Sequence, residues 1–165
     1  YEIHWRDWSS DVCSSDLNLL RSPPHRERVR DDPSLARAAM EETLRFDHFN
    51  KFGTPAYART DLTIGGVDIA RGQTLLPMRA AGSRDPGVFA RPDEFDPDRA
   101  DLDAAHNFGL GPHTCLGAHL ARLEAEVVVP TILRRLPAMQ LAGPPEFTPH
   151  LFFRVMHRLP VRRGT

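Results

Sequence analysis

The chain has no apolar run approaching the roughly 20 residues that span a bilayer, and no charged start followed by an apolar core of the secretory kind. No membrane association is expected, and the expected compartment is the cytoplasm. Charge of one sign is lacking too: 21 lysines and arginines stand against 22 aspartates and glutamates, for a net charge of −1. That balance supplies no field to draw the chain to nucleic acid or anionic lipid, which leaves a small molecule as the expected partner. The two cysteines, Cys13 and Cys115, lie too far apart in sequence to suggest a disulfide framework, so each is read singly. Internal repeats and low-complexity tracts are absent. What is present is 165 residues, 41% hydrophobic and 26% charged, enough for one globular domain or a large piece of one with a modest core.

Residues 1–17 share no character with the rest of the chain. The stretch Trp8-Ser9-Ser10-Asp11-Val12-Cys13-Ser14-Ser15-Asp16-Leu17 has neither a period of two nor one of 3.6, and it matches the translation of a short-read sequencing adaptor. It is expected to be an unstructured artefact, with Cys13 chemically irrelevant and Trp5 and Trp8 outside any core.

From Asn18 the chain is punctuated by all of its 15 prolines and 11 glycines. Asp32 as cap and Pro33 at the first position start a helix expected to run through Phe46. Leu35, Ala38, Ala39, Glu42 and Phe46 fall on one stripe of it, so Glu42 points into the apolar face while Glu41 is expected to face solvent. Leu62 and Ile64 alternate before Gly65-Gly66, and Val67 and Ile69 after it, which predicts a hairpin. A second turn at Ala70-Arg71-Gly72-Gln73 leads into Thr74-Leu75-Leu76. Residues 84–107 form a run rich in Asp, Pro and Arg, too long for an ordinary connection and anchored by Phe89 and Phe95. A helix follows Cys115, with Leu116, Leu120, Leu123 and Val127 on one face, and Pro130 is expected to kink or end it. The chain closes in a terminal hairpin.

Phe108-Gly109-Leu110-Gly111-Pro112-His113-Thr114-Cys115-Leu116-Gly117 sets a lone cysteine between a glycine-rich loop and a helix start. Unpaired N–H groups and the positive end of a helix dipole favour a thiolate there. The glycines let backbone approach something large and flat, and His113 is close enough to bond an anionic group on the same ligand. Two other chemistries use the same residue types. A zinc site could draw on His106, His113, Cys115 and His119, although the paired short-spaced ligands of structural zinc are missing. A cysteine nucleophile could use His113 as base, without a third group to orient it.

The segment from Phe108 to Gly117, continued by Leu120-Ala121-Arg122, resembles the haem-binding loop of the cytochrome P-450 family: phenylalanine, glycine, any, glycine, any, histidine, any, cysteine, any, glycine. Glu42-Thr43-Leu44-Arg45 resembles the family's glutamate, any, any, arginine signature, and residues 92–99, from Pro92 to Arg99, its meander. The resemblance covers residues 18–165 and is greatest to soluble bacterial members. It implies a mainly α fold with small β-sheets (α+β), the C-terminal portion of the P-450 fold. It also implies that Cys115 is the proximal thiolate of haem b (iron protoporphyrin IX), pushing electron density onto iron. Phe108, Gly109, Gly111 and Gly117 then form the ligand loop, His113 bonds a haem propionate, and Glu42, Arg45 and Arg99 make one structural network.

The implied activity is insertion of one oxygen atom from O2 into a small organic substrate, with electrons from a partner such as ferredoxin and its reductase. Three departures stand out. Ala56 occupies the place of an arginine that contacts a propionate in many relatives, a task left to His113 with help from Arg59. Pro130 interrupts a helix that usually runs on, and Ser83 replaces an asparagine. The long central helix whose residues deliver protons to oxygen has no counterpart, so no catalytic residue is expected in the chain. Taken alone it is expected to be an inactive haem-binding fragment. Only two stretches are candidates for substrate contact, Phe49 to Thr54 and the terminal turn around Val155 to His157.

Overall fold

The computed structural model describes residues 2–4 and 10–164, with side chains from Ser14 onward. In chain order it runs through β1 (Glu2–His4), α1 (Ser10–Arg21), α2 (Pro23–Asp31), α3 (Ala36–Phe46), β2 (Ala56–Tyr57), β3 (Leu62–Ile64), β4 (Val67–Ile69) and β5 (Thr74–Leu75). Then come the single turn α4 (Arg79–Gly82), the long α5 (Ala118–Arg135), and β6 (Met139–Leu141), β7 (Glu146–Thr148) and β8 (Val155–Arg163). The result is a mixed α+β fold, helices packed with three small antiparallel sheets.

The start of α3 shows how local chemistry sets an element. Asp32 Oδ1 accepts the Ser34 N–H at 3.0 Å, Pro33 fills a position where its missing donor costs nothing, and a 3-10 turn at Pro33–Leu35 hands over to the helix. One face of α3 then buries Ala36, Ala39, Met40 and Leu44 against Leu19 of α1, Val29 of α2, and Ala125, Val129 and Leu133 of α5. The small residues Ala39 and Ala125 keep the crossing helices close. A second core joins α1 and α5 to the sheet in which β8 pairs with β1, β6 and β7, through Leu17, Ile132, Met139, Met156 and Leu159. Each such side chain removed from water contributes about 1.5–3 kcal/mol before entropy is counted.

Several expectations need correction. Within the stretch 1–17 expected to be unstructured, the described residues are ordered: Glu2–His4 pairs with β8, residues 10–17 form the front of α1, and Leu17 is fully buried in the second core. The apolar run Leu17, Leu19 and Leu20 is enough to dock that helix. Trp5 and Trp8, and the side chain of Cys13, lie outside the described residues. Pro130 does not end α5, which continues to Arg135, because Ala125, Val129, Ile132 and Leu133 are buried on both sides of it and offset the cost of the missing N–H. Val155–His157 is not a turn. It is the start of β8, with Met156 in the core, and the turn lies at residues 149–154.

Candidate functional site

The meander has almost no regular structure, so its carbonyls need partners from elsewhere. Two arginines supply them. Arg45 donates from Nε and Nη2 to the two oxygens of Glu42 at 2.7 and 2.9 Å, and its remaining N–H groups reach the carbonyls of Ser83, Pro92 and Glu94 at 2.8–3.1 Å. All five guanidinium donors are thereby used. Arg99 stands 3.0 Å from Glu42 Oε2 and donates to the carbonyls of Ala90, Arg91 and Glu94 and to Asp101. Glu42 also accepts the Asp96 N–H at 2.9 Å. Glu42 and Arg45 are fully buried and Arg99 nearly so. The helix spacing of three aims Glu42 and Arg45 at one another, and the network staples the meander to α3.

Beyond the meander the chain enters the cysteine loop. Gly109 and Gly111 hold φ of +80° and +75°, a region an L side chain resists, which explains glycine at both positions. A 3-10 turn at Gly111–His113 follows, and the Cys115 N–H returns to the Phe108 carbonyl at 2.8 Å, closing the loop. The sulfur of Cys115 is free and exposed three residues before α5. Gly117 has ordinary φ and room beside it, so its backbone does not demand glycine.

Glu41 departs from expectation. Instead of facing solvent, it is mostly buried, takes Arg122 Nε at 2.6 Å and accepts from Asn107 Nδ2 at 2.8 Å. Arg122 in turn lies over the Phe108 ring, 4.6 Å from its centroid. Glu41 therefore ties the base of the loop to α3 and α5. The signal was in the sequence, since Leu120-Ala121-Arg122 sits one turn into α5, but only the tertiary packing pairs it with Glu41.

A cleft of about 820 Å³ opens over the loop, lined among others by Phe108, Gly109, Leu110, His113 and Cys115. Its far wall includes His48, Asn50, Gly53, Thr54 and Arg79, which brings the Phe49 to Thr54 stretch into the site. Phe49 stacks on Phe153 with centroids 5.2 Å apart, so the turn at residues 149–154 backs the same wall. Ala56 is exposed and offers no charge, and Arg59 does not line the cleft. Arg79 and His48 do, and sequence reasoning singled out neither. A lone arginine inside Pro77-Met78-Arg79-Ala80-Ala81-Gly82 was the available clue. His48 is buried, and burial, reinforced by the charge of Arg79, lowers its pKa to about 4.

The zinc alternative does not assemble: among the described residues no three of His106, His113, Cys115 and His119 bring ligand atoms within 4.8 Å of one another. Nor does His113 bond the Cys115 sulfur, as a base paired with a nucleophile would be expected to.

A meander stapled to a helix by buried charges, leading into a glycine loop that presents one bare sulfur to a cleft, defines a scaffold built to hold a large ligand by a single soft atom. Residues 24–152 match the family model described as cytochrome P450, and the chain belongs to the cytochrome P-450 family. It is similar to the epothilone C/D epoxidase of Sorangium cellulosum, 46% identical over 145 residues that make up 88% of this chain and 34% of that protein. The nocardicin C N-oxygenase of Nocardia uniformis subsp. tsuyamanensis is 40% identical over 146 residues, 86% of this chain and 35% of that one. The crystal structure of epothilone D-bound cytochrome P-450 epoK superposes with a TM-score of 0.87 at 42% identity, covering 94% of this chain and 38% of that chain. The chain thus spans about a third of the length of the curated relatives it matches.

Members of this family bind haem b, and the residues present suit it. The cleft is of the size of small-molecule cofactor sites, one wall offers the bare Cys115 sulfur, and Leu110, Ala104, Ala105 and Phe108 supply apolar lining. Among the described residues no aspartate or glutamate lines the cleft, which fits a ligand that brings its own carboxylates.

Proposed function

We propose that this chain is the haem-ligand portion of a haem-thiolate monooxygenase that inserts one oxygen atom from O2 into a small organic substrate, with electrons from a ferredoxin and its reductase. The observation that carries the reading is the placement of Cys115, whose exposed sulfur ends a closed glycine loop at the wall of an apolar cleft. The similarity to an epoxidase and an N-oxygenase supports it.

In this reading Cys115 would hold the haem iron through its sulfur. Bound haem supplies the oxygen chemistry, which no amino-acid side chain can provide. Gly109 and Gly111 let the loop run beneath the flat ligand without a side chain intervening. His113, exposed at the cleft, donates to a propionate. Phe108, held by Arg122 and through it by Glu41, anchors the base of the loop, and its carbonyl takes the Cys115 N–H. Glu42, Arg45 and Arg99 touch no reacting atom; they hold the meander that delivers the loop. Phe49, Thr54 and the turn at residues 149–154 form the part of the substrate wall that this chain contributes.

The test is the carbon-monoxide difference spectrum of the reduced full-length protein that carries this segment. A red-shifted Soret band marks thiolate ligation; an unshifted band sinks the reading.

A further inference from the structure

Although the chain carries 22 acidic residues, none of those described lines the cleft above Cys115. The same lining holds Arg79, His48, His106 and His113. A wall with several N–H donors and no carboxylate is electrostatically prepared for an anion.

Arg79 differs from the other arginines around it. Arg45 and Arg99 engage Glu42, Arg84 engages Asp93, Arg122 engages Glu41 and Arg154 engages Asp47. No carboxylate among the described residues lies within ion-pair distance of Arg79. Its Nη2 donates to the carbonyls of His106 and Asn107 at 2.8 and 3.0 Å, while Nε and Nη1 have no acceptor among the described residues. The side chain is nevertheless fixed: those two bonds tie it to the entrance of the cysteine loop, and Gly53 leaves room for its stem, since a Cβ there would stand 3.4 Å from Arg79 Cδ. A held guanidinium with three unspent donors is preorganised for a carboxylate.

His48 points the same way. It is 6% exposed, its Nδ1 accepts the Asn50 N–H, so the ring proton sits on Nε2, and that buried atom has no partner in the protein. An unsatisfied buried donor beside an unpaired guanidinium, both lining one cleft, signals a missing acceptor.

We propose that Arg79 binds a carboxylate edge of the haem, with His48 as a neighbouring neutral donor, and so fills the role that Ala56 leaves vacant. The inference rests on the haem-thiolate reading above. Arg79 and His48 line the wall of the cleft on the Asn50–Gly53 side, while His113 approaches from the ligand loop. The ligand is thereby gripped through its acidic groups from two segments of chain.

The test uses the full-length protein loaded with protohaem or with haem dimethyl ester, and follows transfer of the haem to excess apomyoglobin by visible absorbance. With protohaem, Arg79→Gln should release haem roughly 10- to 100-fold faster than wild type, and Arg79→Lys should recover part of the loss. With the dimethyl ester, which has no carboxylate to bind, wild type and Arg79→Gln should release at the same rate. Equal release of protohaem by wild type and Arg79→Gln overturns the proposal. So does a penalty that persists with the ester, which would mean damage to packing rather than loss of an ion pair. If protohaem release is unchanged while Arg79→Gln abolishes the spectral shift produced by palmitate, the carboxylate belongs to a substrate and the assignment to haem is wrong. The reduced carbon-monoxide spectrum separates the two levels. An unshifted Soret band in wild type sinks the haem-thiolate reading itself, whereas a shifted band with a persistent ester penalty sinks only the role of Arg79.

Discussion

The meander and the cysteine loop are adjacent in sequence and opposite in character. On the meander side every donor of Arg45 is used, Glu42 accepts from Arg45 and from the Asp96 N–H and ion-pairs with Arg99, and Glu42 and Arg45 are sealed from water. On the loop side Cys115 and His113 are exposed, Arg79 keeps unspent donors, and His48 Nε2 is orphaned. The chain beyond the loop is bare too, with Leu116, ahead of α5, fully exposed and Leu120 of α5 at 60%. Satisfied polar groups hold shape; unsatisfied ones around a cleft reserve their bonds for a ligand. The fold spends its internal bonding on positioning a loop that it leaves unfinished.

Cys115→Ala should have the largest consequence. The red-shifted Soret band of the reduced carbon-monoxide complex should vanish from the full-length protein while its secondary structure, read by circular dichroism, stays intact. Glu42→Gln should do the reverse. Removing one charge from a buried cluster leaves Arg45 uncompensated and Arg99 with Asp101 alone, and should cost about 3–5 kcal/mol in urea unfolding, with the band of the surviving folded fraction unshifted from its normal position. A variant on either side that altered both readouts equally would erase the division of labour between the two regions.

Asp16 belongs to neither region and sharpens the contrast. Its carboxyl is buried without a partner for Oδ1, and burial pushes it up from 3.8 to about 8. Below about pH 4 it is protonated in both folded and unfolded chains and burial costs no ionisation. Between about pH 4 and 8 the unfolded chain releases the proton and the folded chain retains it, so stability falls as pH rises and levels off above about 8. In urea melts of the 165-residue chain, Asp16→Asn should match wild type near pH 4 and exceed it by a few kcal/mol at pH 8. A flat pH dependence in wild type would mean that this carboxyl is solvated. His113→Ala should cost less, roughly 1.5–3 kcal/mol of haem binding, and leave the thiolate band in place. Loss of the band in that variant would show that His113, and not Cys115 alone, governs the ligation.

The sequence was legible where chemistry is local. The caps at Asp32 and Pro33, the Gly65-Gly66 hairpin and the stripe that turns Glu42 inward all depend on near neighbours, and they form as read. It was less legible where distant elements decide. The 3.6-residue period could not show that α5 covers Glu41, that flanking burial carries the helix past Pro130, or that Leu17 docks α1 in spite of Asp16 beside it. Arg79 was missed for the same reason, because its isolation from carboxylates exists only once the cleft has closed around it.

The finest division between the two regions runs between consecutive residues. Helical geometry turns Glu41 about 100° away from Glu42, so that Glu42 enters the sealed network and Glu41 meets Arg122 and Asn107 at the base of the loop. The side chains of Glu41 and Arg122 are 17% and 24% exposed, so water screens the pair and limits what it contributes. A glutamine at position 41 keeps an acceptor for one of the two donors and loses the charge that holds Arg122 against Phe108. Glu41→Gln should therefore cost about 1 kcal/mol in unfolding, several-fold less than Glu42→Gln. Its effect should appear instead at the ligand. With Arg122 released, Phe108, whose carbonyl takes the Cys115 N–H, holds the loop less firmly, and haem release to apomyoglobin should quicken by roughly two- to fivefold, an amount worth about 1 kcal/mol or less. If Glu41→Gln destabilised the fold as much as Glu42→Gln, the loop side would also be scaffold. The reserve of unsatisfied groups around Cys115 would then have to be explained by something other than a ligand.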